Sequence, residues 1–360
     1  MKKVFLSVVV ALVTIACSNK QDNYLDEPFV GESNRYIIDD YYSGMRGYIN
    51  KKGEVAIKPQ FVYAKHFREG LAVVADDTYG PYGYIDTTGK VVIEKKFADA
   101  EPFSGGMAPV KVGEYWGFIN RRGDIIIQPK YKEVMPFSEG LAAVQNDNER
   151  WGFINNHGEN VVEPQFYTVG SFFNGLAIAD GGYIGHDGKY VISPKYIRAF
   201  SFNEGRAIVC DKRNLYSIID TLGNVITTIK TDQILNTRCY CNRISIDGVN
   251  NIGRSYVDGN GNVIFKHNYK IAGDFRNGLA RFCNNNNRWG YIDTLGRTHI
   301  SARYLFASDF EEGLALVAQN ENTYSYIDKQ GNIVYTFVSD GYFGTIYMLS
   351  LMRPMYDLNL

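Results

Sequence analysis

The chain has little of what would point to chemistry. Its 38 basic and 39 acidic residues leave a net charge of −1, so no field is built for nucleic acid or an anionic lipid surface. Cysteine and histidine number five each, and no His-Glu-x-x-His occurs. Gly-x-Ser-x-Gly, a phosphate loop and a Gly-x-Gly-x-x-Gly opening a helix are all missing, and helical periodicity is hardly signalled anywhere. Catalysis is unsupported, and no catalytic residue, metal or cofactor is assigned. Only a cluster of titratable groups in a deep pocket would revive an enzyme. The longest apolar run, Val4 to Ala16, is too short to span a bilayer.

Repetition fills the rest of the sequence. An isoleucine or valine before an Asp/Asn turn recurs at Ile49, Ile85, Ile119, Ile154, Ile184, Ile219, Val257, Ile292 and Ile327, about 35 residues apart. Behind each turn stands a glycine: Gly53, Gly89, Gly123, Gly158, Gly188, Gly223, Gly261, Gly296 and Gly331. Glycine is 36 of 360 residues, so composition cannot produce that phasing. Asp-x-x-Gly suits a type I turn with a left-handed glycine beside it. The flanks, such as Tyr82-Gly83-Tyr84-Ile85 and Val91-Val92-Ile93, read as a hairpin. A further strand precedes them, as in Gly70-Leu71-Ala72-Val73-Val74. Each unit is therefore expected to be a three-stranded antiparallel meander, closed by a proline such as Pro129 that removes a ladder donor.

Trp116-Gly117-Phe118-Ile119-Asn120, Trp151-Gly152-Phe153-Ile154-Asn155 and Trp289-Gly290-Tyr291-Ile292-Asp293 resemble the WG-repeat proteins over residues 36–338. Elsewhere tyrosine, or Arg46 in the first unit, replaces the tryptophan. The resemblance implies a bacterial, non-enzymatic repeat protein of unspecified partner. One unit buries too little surface to fold alone, so adjacent meanders must share a core. An all-β array of about eight to nine units follows. An open superhelix is favoured, because three strands in so short a unit are lean for a propeller blade; a closed propeller-like ring is the alternative.

Residues 1–17 read as an address: Lys2-Lys3, the apolar run, then Thr14-Ile15-Ala16-Cys17, which resembles a lipobox with Cys17 as the acylated residue. An ordinary signal peptide cut near Ala16 is the alternative. Residues 18–35 have a tether's composition. The array occupies 36–338, its pattern lost at about 225–255, and 339–360 form a C-terminal cap. The expected location is the bacterial cell envelope, anchored to a membrane, with the outer membrane favoured.

The Asp/Asn series is assigned to turn capping, since Asn replaces Asp freely and Gly185 fills the place once. His157 and His186 occupy corresponding turns but do not make a zinc site. Cys210, Cys239, Cys241 and Cys283 are taken as small buried thiols, with disulfides left open. Most of the 27 Tyr, 21 Phe and 3 Trp hold fixed repeat positions, as core residues do. Recognition is placed at the edge opposite the Asp-x-x-Gly turns, where the units differ most. The candidates there are Tyr79, Asn148, Arg150, Asn285 and Arg288, with Arg238, Tyr240 and Arg243 in the degenerate unit. That unit departs from the pattern through a partner contact or through decay of one repeat. The partner expected is an envelope protein; the alternative is a glycan. Replacing Cys17 with serine is expected to move the protein from the membrane fraction to the soluble envelope fraction, read by fractionation and immunoblotting.

Overall fold

The computed structural model describes residues 34–40, 42–212, 215–229, 231–234, 242–248 and 253–339, and turns the phased repeat into nine antiparallel sheets. The second sheet shows the plan: Tyr63–Ala64, Leu71–Ala75, Tyr82–Asp86 and Val91–Phe97 lie side by side in chain order. Leu71–Ala75 is buried along its whole length, whereas Val91–Phe97 mixes exposed and buried residues as an outermost strand does. The stretch without the repeat pattern still supplies strands, among them Thr231–Ile234, Ile244–Gly248 and Gly253–Val257. It forms a seventh sheet.

Two expectations about the unit change. The segment returning from one meander to the next contributes a short first strand, so most sheets have four strands; only the first and fifth have three among the described residues. Proline does not end a strand either, because Pro129 lies inside Ile125–Tyr131. Trp116 pairs with Tyr131 and Phe118 with Ile127, so the outer strand bulges at Gln128-Pro129, where a missing N–H is harmless. The glycine of the Trp-Gly pair faces this bulge. A Cβ on Gly117 would stand 2.4 Å from the Ile127 carbonyl oxygen, and one on Gly83 2.6 Å from that of Ile93. The pair needs glycine because backbone fills the place of a side chain.

Most sheets pack on the next through a recurring joint, and the sixth carries the buried Ile218 in its place. The second aromatic of the Trp-Gly-Phe phrase is fully buried and meets a phenylalanine of the following sheet: Tyr84 with Phe103 at 5.1 Å, Phe118 with Phe137 at 5.0 Å, Tyr291 with Phe310 at 4.7 Å between ring centroids. Where that aromatic is tyrosine, its hydroxyl donates to a carbonyl of the same following sheet, as in Tyr84 to Glu101 O at 2.8 Å and Tyr183 to Phe200 O at 2.7 Å. Burial without that acceptor would cost on the order of 1–3 kcal/mol.

The ninth sheet meets the first in the same way. Tyr326 donates to Ile37 O at 2.8 Å, and Ser339 Oγ to Asp39 Oδ2 at 2.8 Å. Opposite the phased isoleucine most sheets carry alanine, as at Ala72, Ala108 and Ala142, but the first carries Tyr36. Its ring lies 5.4 Å from that of Tyr326 and its hydroxyl donates to Glu312 O at 2.8 Å. Among the described residues the first sheet lacks the short first strand, and this tyrosine packs against the seam. The preference for an open superhelix thus gives way to the closed ring. The return segment makes the unit wide enough for a blade, and residues 34–39 accept the last sheet as a tenth unit would.

The turn glycines carry a double constraint. Gly123 and Gly158 have φ of +84° and +78°, and a Cβ would stand 2.9 Å from Ile93 Cγ2 and 3.2 Å from Ile127 Cγ1 of the preceding sheet. Alanine at either is expected to destabilise by about 1 kcal/mol or more. Alanine at the neighbouring Arg122 or Asn156 should be nearly neutral in the same denaturant titration.

Candidate functional site

Antiparallel order gives the ring two dissimilar ends. One carries the Asp-x-x-Gly turns together with the two-residue turns between first and second strands; Lys329 Nζ of one kind reaches Asn277 O of the other at 2.8 Å. The other end carries the loops between second and third strands and the passages from sheet to sheet. The inward edge is identified by Arg68 and Glu311, which pair at 2.9 Å although the whole first sheet separates theirs in the ring. Sheets that are not neighbours can meet in this way near the axis.

The turn end is saturated with internal bonds. The Asp/Asn residues cap their own turns as expected: Asn120 Oδ1 accepts from the N–H groups of Arg122 and Asp124 at 2.9 and 3.1 Å, and Asp220 Oδ1 from those of Leu222 and Asn224. In the two-residue turns Glu69 and Gly70 both have positive φ, +51° and +76°, the geometry of a type I′ hairpin. Glutamate is a costly choice for a left-handed position. Its carboxylate offsets that by accepting the Gly106 N–H of the next sheet at 3.1 Å. Glu139 does the same for Gly175, Glu204 for Asn242, and Glu312 for Asn34 across the seam, at 2.9, 2.9 and 3.0 Å. His186 lies 3.3 Å from Glu139 and packs on Phe172, while His157 is exposed. No group of three His, Cys, Asp or Glu able to hold a metal occurs among the described residues. Cys210 and Cys283 are buried free thiols, their pKa raised by that burial; Cys239 and Cys241 lie outside the described residues, as does Cys17.

The loop end holds most of the expected binding residues. Tyr79 is 88% exposed, in a loop fixed by the Tyr79 N–H to Asp77 Oδ1 and by Tyr82 Oη donating to Thr78 O. The adjacent loop of the first sheet carries Tyr42, 94% exposed, which sequence reasoning missed although Asp40-Tyr41-Tyr42-Ser43-Gly44 resembles no other loop. Asn148 and Arg150 belong to a turn capped by Asn146, and Asn285 and Arg288 to an equivalent turn capped by Asn284. Asn148, Asn285 and Arg288 are exposed; the Arg150 guanidinium lies 3.2 Å above the centre of the Tyr167 ring. Arg243 is not with them. It sits at the turn end, donating to Thr294 O at 3.3 Å and so tying the seventh sheet to the eighth. Arg238 and Tyr240 lie outside the described residues.

Around the axis a second group of polar side chains gathers that no motif announced. Arg68, Arg276 and Glu311 hold the same repeat position in three sheets, and His66 adjoins them. Burial alone would raise the Glu311 carboxyl, but Arg68, His66 and Arg276 outweigh it and hold the pKa below its usual value. Burial lowers the His66 pKa, with Arg68 and Arg46 acting in the same direction against Glu311.

The geometry defines a nine-bladed β-propeller. The family described as WG containing repeat matches residues 47–77, 82–116, 116–149, 151–179, 182–216, 255–287 and 289–322. That is well over half of the sequence, and the chain belongs to this family. No curated protein sequence matches it. Among solved structures it is similar to one described as the eukaryotic initiation factor, at 13% identity over 85% of this chain and 96% of that one, with a TM-score of 0.58. That likeness speaks to the fold alone. Lower TM-scores of 0.40 and 0.36 relate it to the computationally designed Ika8 protein and to BamB from Moraxella catarrhalis. Their identities are 10% and 11%, covering 77% and 88% of this chain and 86% and 98% of those.

The axial group predicts a response to acid. Both pKa values are depressed in the folded state, so the unfolded chain binds protons more readily and the stabilisation is present at neutral pH. The His66 share is lost as the pH falls below 6.5 and the Glu311 share as it falls below 4.5, the ordinary values of the two groups. Melting curves recorded across that range should show His66→Gln flattening the upper part of the decline and Glu311→Gln the lower part.

Proposed function

We propose that this chain is a non-enzymatic protein of the bacterial cell envelope, held to a membrane through a lipid on Cys17, that binds another protein through the loop end of its ring. The observation that supports this reading is the pair Tyr42 and Tyr79. The phased aromatics are consumed by the joints between sheets, whereas these two stand almost wholly in solvent on neighbouring loops. Aromatic side chains of that kind are common anchors in protein interfaces. Preformed turns carry Asn148, Asn285 and Arg288 at the same end, so polar contacts would be made with little ordering cost.

A glycan platform fits less well. Among the described exposed aromatics at this end, Tyr167 already has one ring face covered by Arg150 and so is half spent as a stacking surface. Alanine at both Tyr42 and Tyr79, and separately at Asn285 and Arg288, should lower capture of an envelope protein several-fold. Capture is read by cross-linking in intact cells and mass identification, with folding checked by circular dichroism. Undiminished capture by both folded variants would place the binding surface elsewhere and refute the reading.

A further inference from the structure

We propose that the turn end of the propeller lies against a lipid surface, so that the loop end is displayed away from the membrane. This rests on the lipid-anchor reading of Cys17 and adds an orientation to it. The first argument is where the chain enters the ring. Asn34, the first described residue, donates its N–H to the Glu312 carboxylate within the circle of two-residue turns, and those belong to the turn end. Residues 18–33 cannot reach further than roughly 55 Å even fully extended. Seven-residue strands such as Val91–Phe97 measure only about 23 Å, so the tether does not by itself exclude the loop end. The shortest path from the ring to a lipid on Cys17 nevertheless leaves from this end.

The second argument is what this end exposes. The outer strands begin just after the Asp-x-x-Gly turns, and their first residues are half-exposed aliphatics, as at Val91, Val92, Ile125 and Ile126. They recur around the rim at the residues following the turn glycine. The turn tips add Leu222, 74% exposed, and Leu295, 60% exposed, where corresponding tips carry Lys52, Thr88 or Arg122. A leucine there reaches no core, and capping by Asp220 and Asp293 fixes it pointing outward with its turn. A collar of aliphatic groups around one end of a tethered body suits the boundary between headgroups and acyl chains.

Charge favours a neutral surface over an anionic one. The exposed Lys52 and Arg122 are followed two residues later by Glu54 and Asp124, and Arg122 pairs with Asp124 at 3.1 Å. The contact would thus be apolar and little affected by salt.

The three tryptophans make the test direct. Trp116 and Trp151 lie at the loop-end side of their strands, as does Trp289, so the native fluorescence reports from the far side of the ring. Full-length lipidated protein is incorporated into phosphatidylcholine vesicles with brominated acyl chains, which quench only nearby tryptophan. Leu222→Trp and Leu295→Trp should add blue-shifted emission that these vesicles quench several-fold more than the native signal; Tyr79→Trp should add emission that they leave intact. Protein that floats with the vesicles while Leu222→Trp and Leu295→Trp remain unquenched would overturn the orientation alone. Quenching of Tyr79→Trp in their place would reverse it. Protein that fails to float would refute the anchor, and the orientation with it.

Discussion

Most of this ring depends on one joint, an aromatic side chain of one sheet set at a steep angle against a phenylalanine of the next. Tyr48, Tyr84, Phe118, Phe153, Tyr183, Tyr256 and Tyr291 all make it, and each is excluded from water. Rings meeting this way fix both spacing and tilt, because an edge-to-face pair tolerates less sliding than an aliphatic contact. A hydroxyl that must also find a carbonyl removes more of the remaining freedom. Rotation per unit is thereby constrained by a few side chains, and over nine sheets it brings the last to the first.

Local chemistry was legible and the global turn was not. The Asp-x-x-Gly phrase encodes its own geometry, since glycine supplies positive φ and the carboxylate or amide caps the amides that follow; it could be read residue by residue. The short first strand escaped because Tyr63–Ala64 is too brief to show alternation. It exists because Lys65 and its equivalents find a carbonyl on the second strand, as Lys65 N–H finds Val73 O. Closure was read only as the alternative, because preferring it requires knowing that Tyr36 stands where most units place alanine for a reason of packing. The sequence shows the substitution but not the ring it faces.

The candidate site divides along the same line. Tyr79, Asn148, Asn285 and Arg288 could be placed on exposed loops because a loop that varies between units is visible in the sequence. Arg243 was grouped with them wrongly, since Asn242 occupies the glycine's place in its turn with φ of +54° and hides the phase of the unit. Arg68 and Glu311 stand 243 residues apart and only the ring makes them neighbours. What the two ends do also differs in kind. One spends its carboxylates on bonds between sheets, and the other holds Tyr42, Tyr79, Asn148, Asn285 and Arg288 in solvent on loops fixed from within.

The two-residue turns carry a consequence for how the molecule comes apart. In a straight stack of such units the outermost has one neighbour, so fraying starts there and runs inward. Here the Glu312 carboxylate accepts from the Asn34 N–H just as that of Glu69 accepts from the Gly106 N–H, and no unit is outermost. To free any sheet, the contacts on both of its faces must fail within the same event. Closure gives nine sheets nine interfaces where an open stack would have eight, so the seam stabilises the whole and the removal of any one sheet must break two interfaces. A ring of this kind lasts by resisting its first opening rather than by refolding after it.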